Sequence, residues 1–351
     1  MGIGNTFEKW KRSYHKRYAS DGYMKILEKK LPLFKKIAQD MSLKEKKSAC
    51  WWQAYLGYLE AKLKYLKTTR LLPSDLAKKL NLEPQWQKYI SGCIDACFEE
   101  NYVFLNGVKL PKPQNKVDYE VFLIIVFDVF LQHLMNFDLD MIKNVDYDFY
   151  RGCPEGPYEY DEVYLQPGDV VIDAGACIGD FSALAAYKGC TAYAFEPSQT
   201  MIDRYLNKTA ELNQGIIIAP YALHSEKATF EFMVPEANMG GSFLANEETL
   251  TQESKNAEIK LTEVVKAIDL DSYVEENKLA KVDFLKADIE GAERNMLKGA
   301  QNILKEFAPK LALCTYHLPD DPQVMEELIL QANPKYVIKQ QFAKLYAYVP
   351  K

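Results

Sequence analysis

The chain has 351 residues, 48% hydrophobic and 26% charged, with a net charge of -6. This composition belongs to a folded globular protein long enough for two domains, not to a disordered or fibrous chain. The acidic balance argues against a general nucleic-acid binder, whose phosphate affinity needs clustered Lys and Arg.

In the N-terminal stretch Lys and Arg interrupt every apolar run, so no signal peptide is expected and the cytoplasm is the expected location. The basic run Lys9-Trp10-Lys11-Arg12 reads as a solvated helix face. Apolar residues recur at helical spacing over Ser48 to Leu66 and Asp75 to Phe98, and Asp118 to Met141 is more continuously apolar. Together they predict a helical domain over residues 1–145 that binds substrate or a partner. Val121 to Met135 is broken by Asp128, Gln132 and His133, well short of the roughly 20 apolar residues of a membrane span. The 7 cysteines contain no paired C-x-x-C units, which fits free thiols in a reducing compartment. Cys93 and Cys97 lack the neighbouring ligands of a metal site.

A linker rich in Tyr, Gly and Pro, including Arg151 to Glu159, leads into the part expected over residues 146–351. There strand and helix signals alternate, the pattern of a parallel sheet with helices on both faces. Strands are predicted at Val170 to Asp173, Thr191 to Phe195, Ile216 to Pro220, Val282 to Ala287, Lys310 to Thr315, Tyr336 to Gln340 and Lys344 to Tyr348. Too few residues separate the last two for a parallel crossover, so they should form an antiparallel hairpin. The expected fold is therefore α/β: a Rossmann-like, seven-stranded class I methyltransferase sheet preceded by a helical N-terminal domain. Between the third and fourth strands, Phe230 to Val234 reads as strand. Pro235 to Phe243 reads either as a lid or as a disordered surface insertion.

The first strand runs into D-x-G-x-x-x-G, from Asp173 through Gly175 and Ala176 to Gly179. Glycines there let backbone amides approach a ligand as the next helix begins. Glu196-Pro197 follows at about the 20-residue distance where a βαβ unit places a carboxylate for ribose hydroxyls. A nicotinamide or flavin fingerprint would read G-x-G-x-x-G. The spacing here suits S-adenosylmethionine, with its zwitterionic amino-acid end and free ribose, although the turn alone is also compatible with an ordinary βα connection.

Strand four ends at Asp288 and Glu290 and strand five at His317, on the same carboxyl rim where open α/β sheets bind ligands. Methyl transfer from a sulfonium needs chiefly an aligned acceptor oxygen, with help from a base. His317 suits the base by its ordinary pKa. Asp288 or Glu290 could replace it, or hold the donor ammonium or the acceptor hydroxyls. Glu293 reads as a helix N-terminal acid. Asp288, Glu290 and His317 also have the donor chemistry for a divalent cation, but they spread over two strands and no metal is expected.

Asp173-Ala-Gly-Ala-Cys-Ile-Gly-Asp-Phe-Ser182, Phe195-Glu-Pro197, and Lys286-Ala-Asp288-Ile-Glu-Gly-Ala-Glu293 with Leu297-Lys-Gly-Ala300 resemble the FkbM family of methyltransferases. The resemblance spans roughly Gly156 to Tyr348 and leaves the first 145 residues uncovered. It implies S-adenosylmethionine as cofactor and O-methylation of hydroxyls on sugars, macrolides or other natural products, an activity of class EC 2.1.1. Carried over by position, Asp173, Gly175, Ala176 and Gly179 face the methionine end, Glu196 and Pro197 the ribose, and Asp288 and Glu290 the reaction side. Tyr158 and Glu159 reach over from the lead-in as cofactor contacts. Cys177 departs from the Asn that family members often carry. The partner implied is a small-molecule or glycan hydroxyl acceptor, and a homodimer is compatible with the reading. The alternatives are a non-catalytic nucleoside-binding partner in a glycan-assembly complex and a nicotinamide-dependent oxidoreductase. An N-methyltransferase is less well matched, because Asp-Ile-Glu-Gly stands where Pro-Pro-Tyr often follows the acid.

Overall fold

The computed structural model describes residues 96–98, 101–105, 108–112, 158–235, 242–244, 259–341 and 344–350. Ser48 to Leu66, Asp118 to Met141 and the expected boundary near residue 145 lie outside these. The chain divides into two units, Met1–Asn106 with Lys112–Pro154, and Gly107–Pro111 with Glu155–Lys351.

In the first unit, strand β1 (Ala96–Phe98) pairs antiparallel with β2 (Tyr102–Leu105). The end of the helix expected over Asp75 to Phe98 is therefore extended. Aromatic and β-branched residues on both sides of Asn101 favour a hairpin over one more helical turn.

The second unit holds β3 (Val108–Pro111) and a seven-stranded sheet. In chain order the sheet strands are β4 (Val170–Ala174), β5 (Thr191–Phe195), β6 (Ile216–Ala219), β11 (Phe284–Ala287), β12 (Lys310–Cys314), β13 (Val337–Gln341) and β14 (Lys344–Tyr348). Their spatial order is β13-β14-β12-β11-β4-β5-β6. From β12 to β6 every pairing is parallel, whereas β14 runs antiparallel to both β12 and β13. This is the class I arrangement, edge hairpin included. The strand order reverses between β4 and β11, so the crevice beyond their carboxyl ends is the ligand position of this topology. β4 and β11 are almost wholly buried, which explains their near-continuous apolar sequences.

Helix α1 (Asp180–Tyr187) follows the glycine turn. Beyond β5 come α2 (Gln199–Met201), a π-helical segment (Ile202–Leu206) and α3 (Asn207–Leu212). The Thr209 hydroxyl donates to the carbonyl of Ile178 at 2.6 Å, tying α3 to the glycine turn. On the other face, α4 (Leu270–Glu276), α5 (Glu293–Lys298), α6 (Gln301–Glu306) and α7 (Asp321–Ala332) supply the core residues Tyr273, Met296, Leu297, Ile303, Met325 and Ile329. The single helix expected from Glu293 to Phe307 is broken between α5 and α6. Gly299 lies at the break, where a Cβ would press against the carbonyl of His224.

A second sheet has the order β7-β10-β8-β9, formed by β7 (Ala222–Leu223), β8 (Ala228–Pro235), β9 (Phe243–Leu244) and β10 (Ile259–Ile268). β8 contains the expected extended stretch. The interruption between the third and fourth core strands is thus largely β structure, with β10 running antiparallel to β8.

Candidate active site

The glycine turn is held by its own backbone. Gly175 and Ala176 donate their N–H groups to the carbonyl of Phe195 at 3.1 and 2.9 Å, and Gly179 donates to Ala176 at 2.6 Å. The Cys177 N–H donates to Glu196 Oε2 at 2.9 Å. These amides are used within the protein, so the turn supplies shape rather than a row of open donors. Both glycines are also demanded by protein neighbours. Gly175 has φ 76, and a Cβ there would overlap the carbonyl oxygen of Asp288; Gly179 has φ 83, and a Cβ would press on Leu206 and Thr209. Cys177 stands at φ 51, a left-handed conformation that Asn adopts readily. Burial, then Glu196 and Asp180, push its thiol pKa well up, so it stays protonated.

A solvent-connected cleft of about 600 Å³ opens beside the turn, with Gly175, Cys177, Glu196, Pro197, Asp288 and Glu290 among its lining residues. Phe195, Met201, Leu223 and Leu244 form an apolar part of its wall. Ser242 and Leu244 also line it, whereas residues 236–241 of the expected lid or insertion lie outside the described residues. Glu196 is buried, with Oε2 on the Cys177 amide and Oε1 accepting from the Ser198 N–H at 2.9 Å. Burial raises its pKa to about 7 against the lowering effect of those two amides. Glu263 on β10 then accepts from the Ser198 hydroxyl and the Gln199 N–H, both at 2.9 Å. Sequence reading missed Glu263, which comes from a distant strand and has no local motif.

The expected cofactor residues separate into two groups. Gly175, Glu196, Pro197 and Asp288 face the cleft, whereas Asp173, Ala176 and Gly179 lie behind it. Ala176 packs with Ala194, Ile202 and Leu206. Asp173 is fully buried, accepts from the Ser182 hydroxyl at 2.6 Å and pairs with Lys286 Nζ at 2.9 Å. Those two residues are register partners on β4 and β11. The ammonium also donates to the carbonyl of Gly175 at 2.9 Å. Lys286 therefore acts as a strut between the turn and the opposite rim; a lysine inside the apolar run Phe-Leu-Lys-Ala was the available sequence signal. Glu159 accepts from Leu165 N–H at 2.7 Å and pairs with Lys188 at 2.5 Å, away from the cleft lining.

On the rim, Asp288 Oδ2 accepts from the Tyr158 hydroxyl at 2.8 Å and Oδ1 from Tyr316 at 3.0 Å. Two ammonium groups approach the Tyr158 ring, Lys344 at 4.4 Å and Lys286 at 5.2 Å from its centroid. Burial alone would raise the Asp288 pKa, but Lys286, His317, Lys344 and the Tyr158 hydroxyl together hold it below the usual carboxylate value. Glu290, at φ 54, sits in strained left-handed backbone beside it.

His317 is joined to this cluster. Nδ1 lies 3.1 Å from Glu293 Oε1, and Nε2 lies 3.7 Å from Asp288 Oδ1 and 3.6 Å from Glu290 Oε2. Burial disfavours the charged ring, but Glu293, Glu290 and Asp288 outweigh it and raise the pKa well above the usual 6.5. The raised pKa favours the charged ring, which holds the surrounding carboxylates in place. Glu293 itself accepts from the N–H groups of Ile289 and Gly291 at 2.8 and 3.0 Å, closing the turn that carries Asp288 and Glu290.

Residues 173–344 match the model of the methyltransferase FkbM domain. This part of the chain belongs to the FkbM methyltransferase family. Hexuronic acid methyltransferase AglP of Haloferax volcanii is 27% identical over 166 residues, or 47% of this chain and 63% of that protein. Methyltransferase FkbM from Methylobacillus flagellatus KT is 16% identical, with a TM-score of 0.40, and the match covers 94% of this chain and 60% of that one. An S-adenosylmethionine-dependent methyltransferase from Aquifex aeolicus is 15% identical with a TM-score of 0.29, covering 59% of this chain and 100% of that one. The match thus spans less than two thirds of AglP and of the Methylobacillus protein. Among the described residues, no helix is long and apolar enough to cross a membrane.

Proposed function

We propose that this FkbM-family protein transfers the methyl group of S-adenosylmethionine to a hydroxyl of a carbohydrate or related natural product. Glu196 carries the reading. Two main-chain amides fix its carboxylate at the cleft wall, and each oxygen has a second lone pair for a ribose hydroxyl. The apolar stretch of Phe195, Met201 and Leu223 suits an adenine face. The carbohydrate acceptor draws support from AglP, whose name specifies a hexuronic acid.

In the proposed reaction an acceptor oxygen attacks the methyl carbon, and the electron pair of the breaking C–S bond returns to sulfur. S-adenosylhomocysteine leaves, and the hydroxyl proton passes to the Asp288–Glu290 carboxylate pair. Orientation carries most of the acceleration, with proton transfer adding about 10²- to 10⁴-fold. His317, whose raised pKa favours the charged ring, positions the carboxylates instead of acting as the base. Calorimetry with S-adenosylmethionine and with NAD tests the donor, and release of S-adenosylhomocysteine over a panel of uronic acids and neutral sugars tests the acceptor. The reading expects donor binding without NAD binding, followed by turnover on a hydroxylated sugar. Binding of NAD alone would overturn it.

A further inference from the structure

We propose that Glu263 is a positioning residue of the donor site: from β10 it holds the backbone that follows Glu196 and brings the Phe232 and Leu244 part of the cleft wall with it. Glu263, Phe232 and Leu244 are register partners across β10, β8 and β9. Residues opposite one another on antiparallel strands share a face of the sheet. The three side chains therefore form one row, and Phe232 and Leu244 line the cleft. The next residue along β10, Val264, is 76% exposed, as the alternation of a strand between its two faces requires.

At the β10 end this row is fastened to the segment after β5. Glu263 Oε1 accepts from the Ser198 hydroxyl and Oε2 from the Gln199 N–H, both at 2.9 Å. Hydrogen bonds to a charged acceptor are stronger than those between neutral groups. Ser198 is fully buried and joins the two carboxylates, with its N–H on Glu196 Oε1 at 2.9 Å and its hydroxyl on Glu263. The same hydroxyl accepts from the N–H of Met201, another lining residue, at 3.2 Å. One side chain thus fixes the loop that carries Glu196 and the wall beside it.

The two carboxylates also act on each other through their charges. Glu196 faces Lys286 from β11, the Cys177 thiol and amide from the glycine turn, and Glu263 from β10, while Tyr221, Asp288 and Glu290 line the same cleft. Burial and the Glu263 charge raise the Glu196 pKa; the Ser198 and Cys177 amides and Lys286 lower it. Glu263 therefore places the Glu196 carboxylate and at the same time favours its protonated form. The donor assignment rests on the function proposed above, but the link between the two carboxylates does not.

The test follows the Glu196 carboxyl carbon by NMR in the full chain with isotope-labelled glutamate, its signal identified by Glu196→Gln, and then measures S-adenosylhomocysteine binding by calorimetry. Glu263→Gln keeps the size and reach of the side chain but not its charge, so the Glu196 midpoint should fall below about 7. A merely structural role would leave that midpoint where it is. Glu263→Ala removes the hold on Ser198 and Gln199, and S-adenosylhomocysteine affinity in mild alkali should fall by at least roughly tenfold. Val264→Ala, on the exposed face of the same strand, should change neither. Thermal melts establish that the variants are folded. An unmoved Glu196 midpoint in folded Glu263→Gln, or unchanged affinity in folded Glu263→Ala, overturns the proposal. A wild type that binds no S-adenosylhomocysteine, with the midpoint still moved by Glu263→Gln, counts against the methyl-transfer reading alone.

Discussion

On the side of the cleft proposed for the donor, Glu196 is fixed by main-chain amides, and the turn before it by hydrogen bonds among its own backbone groups. On the side proposed for the acceptor, Asp288 is fixed by the hydroxyls of Tyr158 and Tyr316, and its charge is balanced by Lys286, His317 and Lys344. A wall built from backbone tolerates exchange of many side chains but no added Cβ at its tightest points. A rim built from side-chain charges responds to pH, to ions and to the loss of any one member. Lys286 belongs to both, since it pairs with Asp173 and donates to Gly175 while lowering the Asp288 pKa.

The largest effect is therefore expected at that strut. Lys286→Met leaves Asp173 buried without its cation and should cost about 3–5 kcal/mol in urea unfolding. A loss below about 1 kcal/mol would mean that Asp173 does not depend on the pair. Gly175→Ala isolates the backbone side. The added Cβ meets the Asp288 carbonyl in a left-handed conformation, for an expected loss of about 3 kcal/mol by the same measurement, together with loss of donor binding. Unchanged stability and donor affinity would remove the steric account of this turn.

Glu196→Gln separates binding from folding. Loss of a charged acceptor for two ribose hydroxyls should weaken donor affinity by roughly 10- to 100-fold in calorimetry. Some stability goes as well, because Gln cannot accept both main-chain amides in the same way. The wild-type affinity should also fall as pH drops through about 7, the raised pKa of Glu196, because the ionised form is the better acceptor. Binding should release protons near that pH, and heats that do not vary with buffer ionisation would count against it.

The smallest effect is expected at His317. Its folded pKa lies above the usual 6.5, so the stability it contributes is fully present below that unfolded value and fades as pH rises through the folded one. The stability difference between wild type and His317→Gln should be on the order of 1 kcal/mol or more in mild acid and should shrink in alkali. A difference independent of pH would show that the ring acts through packing alone.

The strand order and the glycine turn were readable from sequence, because both are local: Asp173 to Gly179, Glu196 and the closing hairpin all sit on short, strongly patterned stretches, but that Asp173, Ala176 and Gly179 lie behind the cleft was not. The rim proposed for the acceptor was less readable. Asp288, Glu290 and His317 were legible as strand-end residues, but their mutual spacing depends on the register between β11 and β12. The raised pKa of His317 follows from three carboxylates that only the fold assembles around it. β10 escaped although Leu-Thr-Glu-Val-Val-Lys-Ala-Ile is rich in β-branched residues, since its charges hid a strand paired across a long connection. Glu263 was out of reach for the same reason. Lys286 was readable in principle, as a cation placed beside Asp173 by the parallel register.

A crystal structure of the protein with S-adenosylhomocysteine tests the central claim most directly. The account predicts the ribose hydroxyls within hydrogen-bonding distance of Glu196, the adenine against Phe195, Met201 and Leu223, and the sulfur directed toward Asp288 and Glu290. A product molecule bound elsewhere, or a ribose turned away from Glu196, would contradict it.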